Sequence, residues 1–132
     1  MNTLFEIMSE FVTPHFRWSE FIDSDTAVAL GIKNIPGDYE KANIVRVARK
    51  LERVRVAFGR PITINSGYRC CLLNDNIPSS SSSSYHLDGR AVDIRVDHYD
   101  ESVLADLITL LDSEDPVEMY VSKFKTYVHV AY

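Results

Sequence analysis

The chain has 132 residues, of which 45% are hydrophobic, and its formal net charge is −5. This length and composition predict one globular domain that spans residues 1–132, and they argue against a disordered chain. The negative charge gives no electrostatic basis for binding nucleic acid or an anionic membrane, and no apolar run is long enough to cross a bilayer.

The opening residues and the cysteines bear on where the protein works. Residues 1–6 contain no basic region before an apolar one, so we predict no secretory signal peptide and synthesis in the cytoplasm. The two cysteines, Cys70 and Cys71, are adjacent, and neighbouring cysteines rarely satisfy disulfide geometry. A disulfide scaffold is therefore excluded, and we interpret both residues as reduced thiols.

The N-terminal region is rich in aromatic residues. Five of them are predicted to cover one side of the core: Phe5, Phe11, Phe16, Trp18 and Phe21. The Ser-Asp-Thr run at residues 24–26 can cap a short helix over residues 27–30, which Gly31 ends. We interpret His15 as a histidine hydrogen-bonded within the aromatic cluster rather than as a metal ligand.

One long helix is predicted over residues 39–58, where apolar residues recur at steps of three and four. Its basic residues fall largely off the apolar stripe, and we interpret them as a solvated helix face rather than as a surface for nucleic acid. They are Lys41, Arg46, Arg49, Lys50, Arg53 and Arg55. Gly59 and Pro61 end this helix, and a strand is predicted over residues 62–65.

The second half of the chain alternates between loops, strands and one helix. The composition of residues 72–83, rich in Asn, Asp and Ser, predicts a loop. Residues 91–96 read as a strand, residues 101–111 as an amphipathic helix, and residues 117–121 and 127–132 as a C-terminal hairpin. The whole predicts an α+β fold, with a small, mostly antiparallel sheet and helices packed on one side of it.

The stretch from Ser84 to Asp93 carries the first candidate site residues. His86 follows a serine run and therefore lies at the end of a loop, whereas Asp93 falls inside the strand over residues 91–96. Because side chains alternate along a strand, Asp93 points away from the core that Val92 and Ile94 face. Gly89 permits a tight backbone path between the loop and the strand, so His86 and Asp93 can converge.

A second histidine, His129, lies in the alternating C-terminal strand. Two imidazoles and one carboxylate from separate elements make a three-ligand zinc set with the fourth position open, as a catalytic zinc requires. His86, Asp93 and His129 are therefore candidate zinc ligands.

These residues stand in an order that resembles a known family. Ser84-x-His86-x-x-Gly89-x-Ala91-x-Asp93, followed by His129, resembles the zinc D-Ala-D-Ala carboxypeptidases and related peptidoglycan peptidases, which have the Hedgehog/DD-peptidase fold. The segment at residues 64–70 matches that family's Ser-Gly-Tyr-Arg motif, and residues 15–34 resemble the start of its small, phage-type members. The run of serines at residues 79–84 departs from the family, whose members tend to have a glycine pair there.

The resemblance implies a function and roles for individual residues. It implies a zinc metallopeptidase that hydrolyses bonds with D-amino acids in peptidoglycan, as a carboxypeptidase or an endopeptidase, with Zn²⁺ bound by His86, Asp93 and His129. Arg69 would bind the substrate and polarise its peptide carbonyl, and Tyr68 and Ser84 are further candidates for substrate binding. We expect a phage-encoded monomer that acts on the bacterial cell wall.

A peptidase also needs a general base, which the family places three or five residues before the last histidine. Those positions hold Thr126 and Phe124 here, and neither side chain can accept a proton near neutral pH. Glu118 is the remaining nearby candidate. If the hairpin turns between residues 123 and 124, Glu118 lies opposite His129 on the same face of the sheet. We therefore predict Glu118 as the base.

Two other classes of function remain open. The chain could be a catalytically inactive homologue that retains zinc and binds cell-wall peptide, because the same fold occurs in the Hedgehog signalling domain. It could also be a structural virion or cell-wall-associated module in which the site is incidental. Only the presence or absence of a general base separates these two classes from an enzyme.

Overall fold

The computed structural model describes residues 10–78, 80–98 and 100–132, so the prediction for Phe5 lies outside the described residues. These residues form the expected α+β fold, with two antiparallel sheets and five α-helices. The helices are α1 (Trp18–Ile22), α2 (Asp25–Leu30), α3 (Asp38–Phe58), α4 (Cys71–Asp75) and α5 (Glu101–Asp112). The strands are β1 (Phe11–Thr13), β2 (Phe16–Arg17), β3 (Thr63–Ser66), β4 (Ala91–Arg95), β5 (Glu118–Val121) and β6 (Val128–Ala131).

The N-terminal region forms a two-stranded sheet, β1 with β2, and two short helices. Phe16 and Phe21 are each only 1% exposed and belong to the core, whereas Phe11 is exposed. The predicted aromatic cover is therefore only partly formed. The Ser24 hydroxyl accepts a hydrogen bond from the Ala27 amide and caps α2, which ends at Gly31 in the left-handed conformation.

Helix α3 is the predicted long helix and begins one residue earlier than expected. Its apolar stripe is buried and comprises Ile44, Val47, Ala48, Leu51 and Val54. Three of the basic residues that we interpreted as a solvated face also contact other segments of the chain. Arg46 donates to the Tyr132 carbonyl, Lys50 donates to the Glu114 carbonyl, and Arg53 pairs with the Glu114 carboxylate. These contacts join α3 to the segments that follow α5 and β6.

The main sheet has the strand order β3-β4-β6-β5, and all neighbouring strands are antiparallel. Alternation along the two central strands divides its faces. One face packs against α3 and α5 through the apolar residues Val92, Ile94, Val128, Val130, Leu104, Leu107 and Leu111. The helices thus lie on one side, as predicted, and Asp93 and His129 lie on the other.

The segment at residues 72–83 differs from the prediction. Its first part belongs to helix α4, and the loop begins only after that helix. Composition favoured a loop because Asn and Asp compete with the backbone for hydrogen bonds. However, Leu73 is completely buried and Asn74 is 1% exposed, and this burial outweighs the local preference.

The hairpin of β5 and β6 has a register two residues away from the one considered above. Tyr120, not Glu118, lies opposite His129, and Glu118 lies opposite Ala131. Ser122 fixes this register, because its amide donates to the Tyr127 carbonyl and its hydroxyl accepts from the Tyr127 amide. A shift of two residues keeps the same side chains on the same face, so Glu118 still faces the side of His129.

The packing of the 3-10 helix at Tyr85–Asp88 against α3 can be tested by comparing substitutions at two glycines. Gly31 and Gly89 both have positive φ, +67° and +73°, but only Gly89 lies against another element. A Cβ at Gly89 would lie 2.7 Å from the Glu40 carbonyl oxygen, whereas one at Gly31 would meet nothing within 4 Å.

We expect Gly31→Ala to cost about 1–2 kcal/mol of unfolding free energy, which is the strain of a left-handed alanine. Gly89→Ala should cost about 1–3 kcal/mol more, because α3 must move away from the turn. Urea unfolding of both variants measures the difference. Equal costs would contradict the close approach of this turn to α3.

Candidate metal centre

The pairing of β4 with β6 brings the first two candidate ligands together. Asp93 lies directly opposite His129 in this pair. The Asp93 Oδ1 atom is 2.8 Å from the His129 Nδ1 atom, and both residues are buried. A carboxylate and an imidazole that are 36 positions apart in sequence thus meet through strand register alone.

His86 reaches the same point from the 3-10 helix that precedes β4. The Ser84 hydroxyl accepts a hydrogen bond from the His86 amide and caps this helix. The His86 Nδ1 atom is 2.7 Å from the Gly67 carbonyl oxygen. Because a carbonyl can only accept, Nδ1 is the donor in this bond, and Nε2 is the ring nitrogen that faces the site. That Nε2 atom is 3.3 Å from the Asp93 Oδ1 atom.

The donor set fits a zinc ion. His86, Asp93 and His129 each offer one ligand atom, and these atoms lie within 4.8 Å of one another. Tetrahedral zinc with nitrogen ligands at about 2.0–2.1 Å places two ligand atoms about 3.3 Å apart. The separations of Asp93 Oδ1 from the two imidazoles, 2.8 and 3.3 Å, are close to this value. The three side chains can therefore hold a divalent metal after small movements.

The Ser-Gly-Tyr-Arg segment at residues 66–69 holds the Gly67 carbonyl that orients His86. A Cβ at Gly67 would lie 2.5 Å from the Phe21 carbonyl oxygen, so only glycine fits here. The Tyr68 amide donates to that same oxygen at 2.7 Å. Asn34 donates from its amide group to the carbonyls of Ile22 and Tyr68. The N-terminal helices therefore fix the carbonyl that orients His86.

Arg69 extends from this segment to the metal centre. Its Nη2 atom is 3.5 Å from the Asp93 Oδ2 atom, its Nε donates to the Ser66 hydroxyl, and its Nη1 donates to Asn74 Oδ1. The guanidinium is 12% exposed, and burial lowers the pKa of Arg69 although Asp93 opposes the shift. An arginine whose pKa falls somewhat from above 12 remains a cation at neutral pH.

The other two residues assigned to substrate binding have different positions. Ser84 lines the cavity over the metal centre, as a substrate contact requires. Tyr68 is 8% exposed and belongs to the hydrophobic core instead of the cavity wall. Burial, followed by the charges of Cys70, Glu40 and Cys71, raises the pKa of Tyr68 to about 12. Tyr68 is therefore a neutral core residue, and we propose no substrate contact for it.

Glu118 and Tyr120 complete the site from β5. The Glu118 Oε1 atom is 2.6 Å from the His129 Nε2 atom, and the side chain is 46% exposed. The Tyr120 ring stacks on the His129 ring, with centroids 4.6 Å apart. Sequence analysis missed Tyr120, although it is two residues after Glu118 and must share its face in any strand.

The carboxylates and imidazoles of the site shift one another's pKa values. Burial by itself would raise the pKa of Asp93, but hydrogen bonds from His129 and His86 outweigh it and hold that pKa well below its usual range. Burial would lower the pKa of His129, but Asp93 and Glu118 outweigh it and raise that pKa. A metal that binds His129 must therefore displace a proton.

A cavity of about 290 Å³ opens over these groups. The three candidate metal ligands line it together with Arg69, Glu118, Tyr120 and Tyr127. Four serines also line it, Ser80, Ser81, Ser83 and Ser84, which we call the serine wall. A water molecule and a peptide bond can thus approach the metal centre from one open side.

The remaining histidines do not join the centre. His15 pairs with Glu52 through its Nδ1 atom, at 2.5 Å, so it is hydrogen-bonded as expected, but to a carboxylate on α3. His98 is exposed and lines a different cavity, beside the start of α5. Cys70 and Cys71 are free thiols, as predicted.

A His-Asp-His group that could hold a metal ion, on an antiparallel sheet with an arginine beside it, is the arrangement expected of a metallopeptidase. The Peptidase M15 family model matches residues 14–131, which is the whole chain apart from its first 13 residues and its last one. The chain therefore belongs to this family of zinc peptidases. No curated protein sequence matches it. None of the helices among the described residues is long and apolar enough to cross a membrane.

We expect one zinc ion per chain, bound through His86, Asp93 and His129. His86→Ala and His129→Ala should each lose stoichiometric zinc, because each removes one of three protein ligands. His98→Ala is the matched control and should retain it. Metal analysis of the purified variants is the measurement, and full zinc retention by both ligand variants would refute the assignment.

Proposed function

We propose that this protein is a zinc-dependent peptidase that hydrolyses bonds with D-amino acids in peptidoglycan peptides. The observation that carries the proposal is the convergence of His86, Asp93 and His129 beside Arg69 in one open cavity. Membership of the Peptidase M15 family supports the peptidase chemistry. A carboxypeptidase and an endopeptidase are both compatible with this cavity.

Arg69 and Glu118 would carry the chemistry of the chain itself. When bound, zinc supplies a Lewis acid that polarises a carbonyl and lowers the pKa of a water molecule. Arg69 would donate to the carbonyl oxygen on which negative charge develops. Its Nε and Nη1 atoms donate to Ser66 and Asn74, and its Nη2 atom pairs with Asp93, so the guanidinium is held in place while further N–H groups can donate to a substrate. Glu118 would take the proton of the attacking water and pass it to the leaving amine.

The position of Glu118 supports this role but also allows a simpler one. Its carboxylate lines the cavity and is half-exposed, so a water molecule can reach it. One of its oxygens, Oε1, is engaged by the His129 ring, which leaves Oε2 to accept a proton. The alternative is that Glu118 only orients His129, as carboxylates behind metal-binding histidines commonly do.

This alternative keeps a second candidate function open, namely a zinc-binding homologue without catalysis that binds cell-wall peptide. The observation that favours it is that the two positions where the family places its base hold Phe124 and Thr126, neither of which can act as a base. The Phe124 ring is 79% exposed, and Thr126 has its amide and its hydroxyl directed to the Ser122 hydroxyl. If Glu118 only orients His129, no described carboxylate or imidazole in the cavity wall remains as a base.

We also propose that residues 1–132 form a single peptidase domain that acts as a monomer on the bacterial cell wall. The core supports the single domain, because it includes residues from β2 to the C-terminal end of the chain. A phage-encoded origin is supported only by the resemblance of residues 15–34 to small phage-type members.

Two variants of Glu118 separate the role of base from the role of orienting group. Glu118→Gln keeps an oxygen that can accept from His129 but has no useful proton affinity, so it should bind zinc normally and hydrolyse about 100-fold or more slowly. Glu118→Ala should lose the hydrogen bond to His129 as well, and zinc should bind about 10-fold or more weakly.

The measurements are zinc affinity and the hydrolysis of a D-Ala-D-Ala peptide and of purified peptidoglycan by the zinc-loaded protein. Wild-type activity in Glu118→Gln would exclude Glu118 as the base. A zinc-loaded wild type that binds these peptides and cuts none of them would establish the second candidate function.

Arg69→Ala should keep zinc and fold but lose about 100- to 1000-fold in rate, as expected when a donor aimed at developing charge is removed. Arg95→Ala is the control, because Arg95 is an exposed arginine on the strand that carries Asp93. Steady-state kinetics on the cleaved peptide compares the two variants. Similar losses in both would mean that Arg69 acts only through the net charge of the protein.

A further inference from the structure

Asn74 is a buried polar residue that lies next to the active cavity without lining it. It belongs to α4 and is only 1% exposed. A buried amide costs free energy unless its polar atoms find partners, and here both ends of the side chain have one. The Oδ1 atom accepts from Arg69 Nη1 at 3.3 Å, and the Nδ2 atom donates to the Ser81 carbonyl at 2.9 Å.

The main chain of Asn74 bonds to the same loop. Its carbonyl accepts from the Ser80 hydroxyl and from the Ile77 amide. Two residues of the serine wall, Ser80 and Ser81, are therefore tied to the residue that also holds the guanidinium of Arg69. Ser66 holds that guanidinium from β3, and Asp93 from β4.

The chemistry at this position requires an amide. Arg69 can only donate hydrogen bonds, and the Ser81 carbonyl can only accept them. A side chain between them must therefore accept at one end and donate at the other. Asparagine does both at the length available, whereas an aspartate would accept at both ends and an alanine would reach neither partner.

We propose that Asn74 is a positioning residue that fixes the guanidinium of Arg69 and is itself anchored to the serine wall of the cavity. The functional part of this inference rests on the proposed role of Arg69 in peptide hydrolysis. Because Asn74 acts through Arg69, its loss changes the rate of the reaction and not the metal ligands.

Arginine side-chain NMR tests the positioning without any activity. In wild type the Arg69 Nε–H donates to Ser66 and should exchange slowly with solvent. Asn74→Ala should increase this exchange rate by about tenfold or more, since the guanidinium loses one of its three supports. The Arg90 Nε–H, which donates to the Tyr132 carbonyl, is the internal control and should not change.

Kinetics of the zinc-loaded protein tests the functional consequence. Asn74→Ala should lower kcat/KM by about 10- to 100-fold through misplacement of Arg69, with zinc affinity unchanged. In the Arg69→Ala background the same substitution should have less than about a twofold effect, because the group that it positions is gone. Asn76→Ala is the matched control: Asn76 is exposed, directly follows the same helix, and donates to the Leu72 carbonyl.

Asn74→Asp tests the two side-chain hydrogen bonds of Asn74 separately. It keeps an acceptor for Arg69 and loses the donor to Ser81, so Arg69 exchange should stay slow and kcat/KM should exceed that of Asn74→Ala. If Asn74→Ala does not fold, this variant decides the question: slow Arg69 exchange supports the proposal and fast exchange overturns it.

The outcomes separate this inference from the proposed function. Unchanged Arg69 exchange in Asn74→Ala, or equal effects of Asn74→Ala with and without Arg69, would overturn the positioning role. A zinc-loaded wild type that cuts no peptidoglycan peptide would overturn the proposed function, and faster Arg69 exchange in Asn74→Ala would still support the positioning role.

Discussion

The register between β4 and β6 is the constraint on which the metal centre depends. It places Asp93 opposite His129 on one face while Val92, Ile94, Val128 and Val130 enter the core on the other. A slip of one residue in β6 would turn His129 into the core and Val128 and Val130 out of it, while Asp93 stayed on its face. The hydrophobic burial under α3 and α5 therefore holds the two candidate ligands together from the opposite face of the sheet.

His129 shows how this face resolves competing demands on one imidazole. Asp93 lies at its Nδ1 atom, Glu118 at its Nε2 atom, and Tyr120 stacks on its face. Contacts on both edges and one face fix the ring, which favours a preorganised ligand. The same contacts engage one oxygen of Glu118, the carboxylate proposed as the base. One residue is therefore asked both to hold the imidazole rigid and to keep an oxygen free for a proton.

Much of this site could be predicted from sequence, because its ligands lie in segments with clear periodicity. Alternation around Asp93 and His129 correctly predicted strands and outward-facing side chains. The pairing of Glu118 with Ala131 could not be predicted, because the hydrogen bonds of Ser122 set the hairpin register and no local pattern reveals them. Composition likewise did not predict α4, since it does not reveal that Leu73 and Asn74 are buried.

The ligands come from three separate segments, and the carbonyl that orients His86 is fixed by a fourth, helix α1. These segments are distant in sequence, so the complete site exists only where all four of them are assembled. An incompletely folded chain offers zinc a few scattered side chains and no enclosed site. A zinc ion held by these residues would therefore bind the complete fold far better than any partly folded state, and the free zinc concentration would set part of the stability of the protein.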